Sequence, residues 1–166
     1  MLRWKMMKHD VIDAILDTWA DISYSEVVDQ SLREYSPHPE EQDAKRLFLG
    51  HKWGEITDEV LSSDVPNPFL IGSTALRYYL PAFLICAIRK KRWCELLEYL
   101  ADIKLRVPRK ENALERFKED FDPLSQAQRF AVMRFLQYAS SFYEDDSRVK
   151  ARIKDSIERY WGRSDC

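Results

Sequence analysis

Leu76-Arg77-Tyr78-Tyr79-Leu80-Pro81-Ala82-Phe83-Leu84-Ile85-Cys86-Ala87-Ile88 is the only long segment of this chain with almost no charge. Positions 76, 79, 80, 83, 84, 87 and 88 are apolar at helical spacing, and nothing polar follows Tyr79 until Arg89. A helix that is apolar all round is buried in a core or in a membrane. The uninterrupted run Leu80 to Ile88 falls far short of the roughly 20 residues a spanning helix needs. The segment therefore reads as the central buried helix of an all-α domain. Ser73 is the expected N-cap, and Gly72 before it permits a sharp turn into the helix.

Pro81 lies inside that helix. An interior proline removes a hydrogen bond and costs about 3 kcal/mol. Either the helix kinks there, or a short turn ends near Tyr79 and Pro81 opens a second helix at its first position. Both geometries free backbone carbonyls near Arg77 and Tyr78. Trp, Tyr and Arg are the residue types enriched at binding hot spots, so Trp53, Arg77, Tyr78 and Tyr79 are the candidate binding residues. The competing reading packs Tyr78 and Tyr79 in the core with satisfied hydroxyls and gives Arg77 a structural ion pair. After the helix, Arg89-Lys90-Lys91-Arg92 suits a helix C-terminus, where cations favour the dipole. No second basic cluster with interleaved Gly or aromatics supports a nucleic-acid groove.

Outward from the centre, amphipathic patterns continue in both directions. Asp10 is the expected cap of a helix carrying Val11, Ile12, Ile15, Leu16 and Trp19. Residues 21 to 38 weaken in pattern and read as mostly irregular, with a breaker at Ser36-Pro37-His38-Pro39. A helix from Pro39 with Leu47 and Phe48 inward is stopped by Gly50. Trp53 to Leu61 reads as a short helix, with a second start at Thr57-Asp58-Glu59, and Val65-Pro66-Asn67-Pro68 as a rigid connector to Phe69 and Leu70. Downstream, Trp93, Leu96, Leu97, Leu100 and Ile103 form one stripe, ended at Pro108, and Ala113, Leu114, Phe117 and Phe121 another. Ser125 and Gln128 have capping-box spacing before Phe130, Ala131, Phe135, Tyr138, Ala139 and Phe142. After Glu144-Asp145-Asp146-Ser147, a last helix holds Val149, Ile153, Ile157, Tyr160 and Trp161 and closes at Gly162.

Composition narrows the function classes. The chain has 166 residues, fitting one domain, and a net charge of −2, so bulk charge does not drive binding to nucleic acid or anionic membrane. Residues 1–70 carry a balance of −7 and residues 71–166 one of +5, so the two halves attract when packed. Only four glycines occur, against a turn-rich β architecture and against a phosphate-cradling loop. Cys86, Cys94 and Cys166 are odd in number and form no C-x-x-C, which fits a reducing cytoplasm. The N-terminus has no apolar signal core. His9, His38 and His51 fall in no H-x-x-x-H or E-x-x-H pattern. His38, Glu40, Glu41, Asp43 and His51, though close in sequence, read as an acidic helix start rather than a metal site. No G-x-S-x-G is present, and Cys94 after the basic run reads as an ordinary half-buried thiol.

Arg77-Tyr78-Tyr79-Leu80-Pro81-Ala82-Phe83-Leu84 resembles the central motif of a family of uncharacterised bacterial proteins, a domain of unknown function. Gly50-His51-Lys52-Trp53, Gln128-x-x-Ala131-Val132-x-x-Phe135-Leu136 and Tyr160-Trp161 extend the resemblance from about residue 10 to the end. Gly72-Ser73 departs from the Ser-Pro often found there, which touches the cap and not the core. The resemblance implies a small helical fold and a bacterial origin, with no activity, ligand or catalytic residue attached.

These readings specify a single helical domain over residues 1–166, a bundle of about six or seven helices around residues 74–88, with residues 1–9 as a candidate disordered tail. No metal, cofactor or catalytic residue is expected, and oligomeric state is left open. The expected function is a cytoplasmic protein-interaction or regulatory module that binds another protein through an aromatic–cationic patch, away from membranes and nucleic acid. The alternative is a small enzyme or ligand-binding domain with a pocket at the Pro81 kink.

Overall fold

The computed structural model describes residues 7–33, 39–63, 71–91, 94–101 and 113–163. The breaker around Pro37, the connector through Pro66 and Pro68 with Phe69 and Leu70, His38, Arg92, Trp93, Ile103, Pro108 and Cys166 lie outside the described residues. So do the side chains of Cys94 and Leu114. The described residues form nine α-helices and no strand. In order they are α1 (Lys8–Trp19), α2 (Glu26–Arg33), α3 (Pro39–Phe48), α4 (Asp58–Ser63), α5 (Ser73–Lys90), α6 (Cys94–Ala101), α7 (Ala113–Phe121), α8 (Gln126–Ser140) and α9 (Ser147–Ser156). A 3₁₀ turn, Trp53–Glu55, precedes α4, and a π turn, Ile157–Trp161, continues α9.

The all-α architecture and its centre are as the sequence specifies. Helix α5 runs unbroken through Pro81, and every residue from Tyr78 to Ile88 is buried. Helices α1, α2, α4, α7 and α8 and the 3₁₀ turn all pack against it. The expected stripes supply the rest of the core: Val11, Ile15 and Trp19 of α1, Phe48 of α3, Leu96, Leu97 and Leu100 of α6, Phe117 and Phe121 of α7, Phe135 of α8 and Trp161 beyond α9.

Several termini correct the sequence reading. The described residues hold nine helices, short ones included, where about six or seven were expected. Residues 26–33 are helical where irregular chain was expected, because docking on α5 buries Val28 and Leu32. Trp53 to Leu61 is divided, with α4 opening at Asp58. Helix α1 begins at Lys8, inside the stretch read as a candidate disordered tail, with Met7 as its N-cap. Asp10 sits one turn in, its carboxylate accepting from the Met7 backbone N–H at 3.3 Å. Leu16, Phe130 and Phe142, which fall in the apolar patterns of the sequence, are exposed.

The start of α5 shows how a cap can come from a distant segment. Gly72, not Ser73, is the N-cap residue and has no side chain to offer. Ser31 of α2 supplies the oxygen instead, accepting from the Ala75 backbone N–H at 3.3 Å. A Cβ on Gly72 would meet Ser31 Oγ at 2.4 Å, so glycine is what lets α2 come this close. Ser73 is left to donate its hydroxyl to Asp120 of α7. Other caps are local, as expected. Ser125 accepts from Gln128 N at 3.2 Å while Gln128 Oε1 accepts from Ser125 N at 2.8 Å. Asp146 accepts from the backbones of Arg148 and Val149. Gly50 ends α3 with φ +82°, a conformation that favours glycine.

Candidate functional site

Proline at position 81 has no N–H to give the carbonyl four residues back, that of Arg77. Trp19 of α1 fills the place: its indole Nε1 donates to the Arg77 carbonyl at 3.3 Å. The carbonyl that the sequence marks as free is thus occupied from a helix 58 positions earlier.

Arg77 parts here from the two tyrosines that follow it. The Arg77 guanidinium reaches the last turn of α7, donating to the carbonyls of Asp120 at 3.0 Å and Glu119 at 3.3 Å and to Thr74 Oγ1 at 3.0 Å. Its cap is made to backbone carbonyls, where the sequence suggested an ion pair. Burial lowers the Arg77 pKa and the nearby Asp120 carboxylate opposes that. Asp120 also accepts from Tyr99 at 3.1 Å, so its two carboxylate oxygens tie α5 and α6 to α7.

Tyr79 points the other way and is fully buried. Its hydroxyl lies 2.7 Å from the Phe48 carbonyl and 2.8 Å from that of His51, donating to the pair that ends α3. Its ring packs tilted against Phe48, centroids 4.6 Å apart, and stands edge-on to Tyr78 at 4.9 Å. Tyr78 is 5% exposed. Its hydroxyl accepts from the Trp53 backbone N–H at 3.4 Å, and its ring meets Tyr24 at 5.4 Å. Tyr24 donates to Asp29 Oδ1 and accepts from Gly50 N at 2.8 Å.

The structure therefore brings Trp53, Tyr78 and Tyr79 to one junction between the start of α2, the end of α3 and α5, and carries Arg77 to a different one. Tyr24 and Asp29 belong to the first junction and were missed. They lie in the stretch read as irregular, and only the aromatic type of Tyr24 hinted at a role. Because Tyr79 is core, Arg77→Ala with Tyr79→Ala tests folding before it tests binding.

Burial raises the pKa of Tyr24, Tyr78 and Tyr79, most strongly for Tyr79, with Asp29 adding to the effect on Tyr24. The folded state thus holds these phenolic protons more tightly than the unfolded chain, whose tyrosines titrate near about 10. Below that pH both states are protonated and the stabilisation is complete. Above it the unfolded chain ionises first and stability falls. Thermal melts are expected to show Tm dropping above about pH 10, with a shallower drop in Tyr79→Phe. Equal drops in the two proteins would remove Tyr79 from this account.

The rest of the described surface carries little chemistry. Among the described residues no three His, Cys, Asp or Glu side chains come together in a group that could hold a metal ion. Of the basic run, Arg89 pairs with Asp58 at 3.5 Å, Lys90 interacts with Glu59, and Lys91 lies 5.8 Å from the Phe142 ring centre. Among the described residues no helix is long and apolar enough to cross a membrane.

Fold and junction together define a small all-α domain in which tryptophan, tyrosine and arginine side chains are spent on helix carbonyls. The chain belongs to DUF6714, a family of unknown function, whose model matches residues 7–165. No curated protein and no solved structure matches it.

Proposed function

We propose that the domain is a protein-interaction module of the bacterial cytoplasm, binding another protein at the junction where Trp53 and Tyr78 meet Tyr24. The observation that carries this reading is the surface around the junction. Ile22, Val27 and Leu49 are exposed large apolar residues, and each lies within three positions of Tyr24 or Gly50, the pair hydrogen-bonded there. Trp53, half-buried, stands three positions after Gly50 and offers the ring type most enriched at hot spots. The exposed acids Asp21, Glu26 and Glu55 neighbour Ile22, Val27 and Trp53 in sequence and favour a partner with an apolar, basic face. Three cysteines, of which Cys86 is buried and unbridged, suit a reducing compartment. The other expected site, a ligand pocket at Pro81, has its free carbonyl already bonded to Trp19.

The test is an affinity capture from host lysate with and without nuclease, using the wild type and a Val27→Asp/Leu49→Asp variant. Both substituted positions are exposed, so the variant is expected to melt like the wild type. The expected result is one stoichiometric protein that survives nuclease and is lost with the variant. Capture that the variant retains, or no capture at all, would remove the junction from the binding surface.

A further inference from the structure

We infer that Tyr24 and α2 form a strap that lifts from α5 as one unit, uncovering Tyr78, while the rest of the domain stays folded. The strap is held by little apolar burial. Of its described side chains only Val28 and Leu32 are buried apolar residues, whereas α1 fully buries Val11, Ile15 and Trp19. Eight residues are too few for a helix to persist alone in water, so α2 undocks and unravels together. Residues 20–23, which lead into it, are all exposed and leave the chain free to turn.

Its other attachments are polar latches. The Gly50 backbone N–H donates to the Tyr24 hydroxyl at 2.8 Å and reaches Asp29 Oδ1 at 3.4 Å, both at the surface. The Ala75 N–H donates to Ser31 Oγ at 3.3 Å. Water replaces such bonds at small net cost. What the strap covers is aromatic. The Tyr24 ring stands edge-on to Tyr78, which is buried. Tyr79 is anchored to the end of α3 through the Phe48 and His51 carbonyls and stays buried when the strap lifts. Ile22 and Val27 travel with the strap and Leu49 does not, so the closed strap presents the binding patch and the open strap dismantles it. That consequence rests on the function proposed above; the movement does not.

Native-state hydrogen exchange of the full chain, followed by NMR at low guanidinium, tests the movement. The Gln30, Ser31 and Leu32 amides are expected to exchange through an opening that barely depends on denaturant, while core amides of α8 follow the steep dependence of global unfolding. Trp161→Phe loses a hydrogen bond far from the strap, to the Leu100 carbonyl. It is expected to speed the α8 amides about fivefold and to leave those of α2 unchanged. Limiting nitration by tetranitromethane, mapped by tandem mass spectrometry, reads what is uncovered. Ser31→Ala is expected to raise labelling of Tyr78 about fivefold, with Tyr79 unlabelled. Amides of α2 that follow α8, in denaturant or in Trp161→Phe, overturn the inference. So do α2 amides without protection, which leave no closed strap, or Tyr79 labelled as fast as Tyr78. None of these measurements uses a partner, so a failed strap and a failed capture are distinguishable.

Discussion

Trp19→Ala is expected to cost about 3–5 kcal/mol, a large share of the roughly 5–15 kcal/mol that holds a domain of this kind together. Trp19 is fully buried, so removing the ring opens a cavity beside α5. It also strips the Arg77 carbonyl of its only described donor, at the point where Pro81 denies the helix its own. The two effects separate experimentally. Trp19→Phe keeps most of the volume and loses the indole N–H, for an expected cost of about 1–3 kcal/mol. In a Pro81→Ala background the backbone N–H returns to serve the Arg77 carbonyl, so the same Trp19→Phe change is expected to cost less. Urea denaturation of the four proteins, followed by circular dichroism, closes the cycle. An unchanged Trp19→Phe penalty in the Pro81→Ala background would show that the indole does not substitute for the missing proline hydrogen bond.

Trp161→Ala is expected to be as damaging, about 3–5 kcal/mol, for a related reason at the other end of the chain. The Trp161 ring sits among Phe117, Phe121 and Tyr160, with centroids 5.7, 5.2 and 4.9 Å away. Its Nε1 donates to the Leu100 carbonyl at 2.9 Å, in the last turn of α6. Around it, Tyr160 donates to Asp122 at 2.9 Å, and Arg129 donates to the Asp122 carbonyl at 2.8 Å. One side chain thus joins α6, α7 and the end of α9. Trp161→Phe is expected to lose only the hydrogen-bond share. If denaturant midpoints show Trp161→Ala within about 1 kcal/mol of wild type, below the usual range for such a truncation, the aromatic cluster is not what closes the C-terminal end.

Both residues illustrate what was legible in the sequence and what was not. The stripes that end in Trp19 and Trp161 could be read from their spacing, as could the burial of residues 78–88. Simple counting from Pro81 also marked the Arg77 carbonyl as unfilled. Its donor was invisible, because a contact 58 positions away leaves no trace in local pattern. The same holds for α5's cap. A rule that looks beside the helix finds Ser73, whereas the oxygen comes from Ser31. Helix α2 escaped detection because only Val28 and Leu32 are buried in it. Of the candidate site, Trp53, Tyr78 and Tyr79 converge in the structure. Arg77 leaves that group because it lies two positions before Tyr79 and so almost opposite it, at about 100° per residue. Leu16, Phe130 and Phe142 share the apolar patterns of buried neighbours yet are exposed, because apolarity alone does not fix which side of a helix is covered.

The chain positions of these long-range partners bear on how the domain assembles. Among the described residues, the long-range donors to α5, the Trp19 indole and the Trp53 backbone N–H, come from residues made before it. Of what α5 gives, the Ala75 N–H serves Ser31 of α2 and Tyr79 serves α3, both already made, while Ser73 and Arg77 wait for α7, not yet made. In a chain synthesised N-terminus first, the central helix meets its own donors as it emerges and can settle against α1, α2 and α3. Arg77 then stands as the receptor for the remaining half, holding the register at which α7 docks.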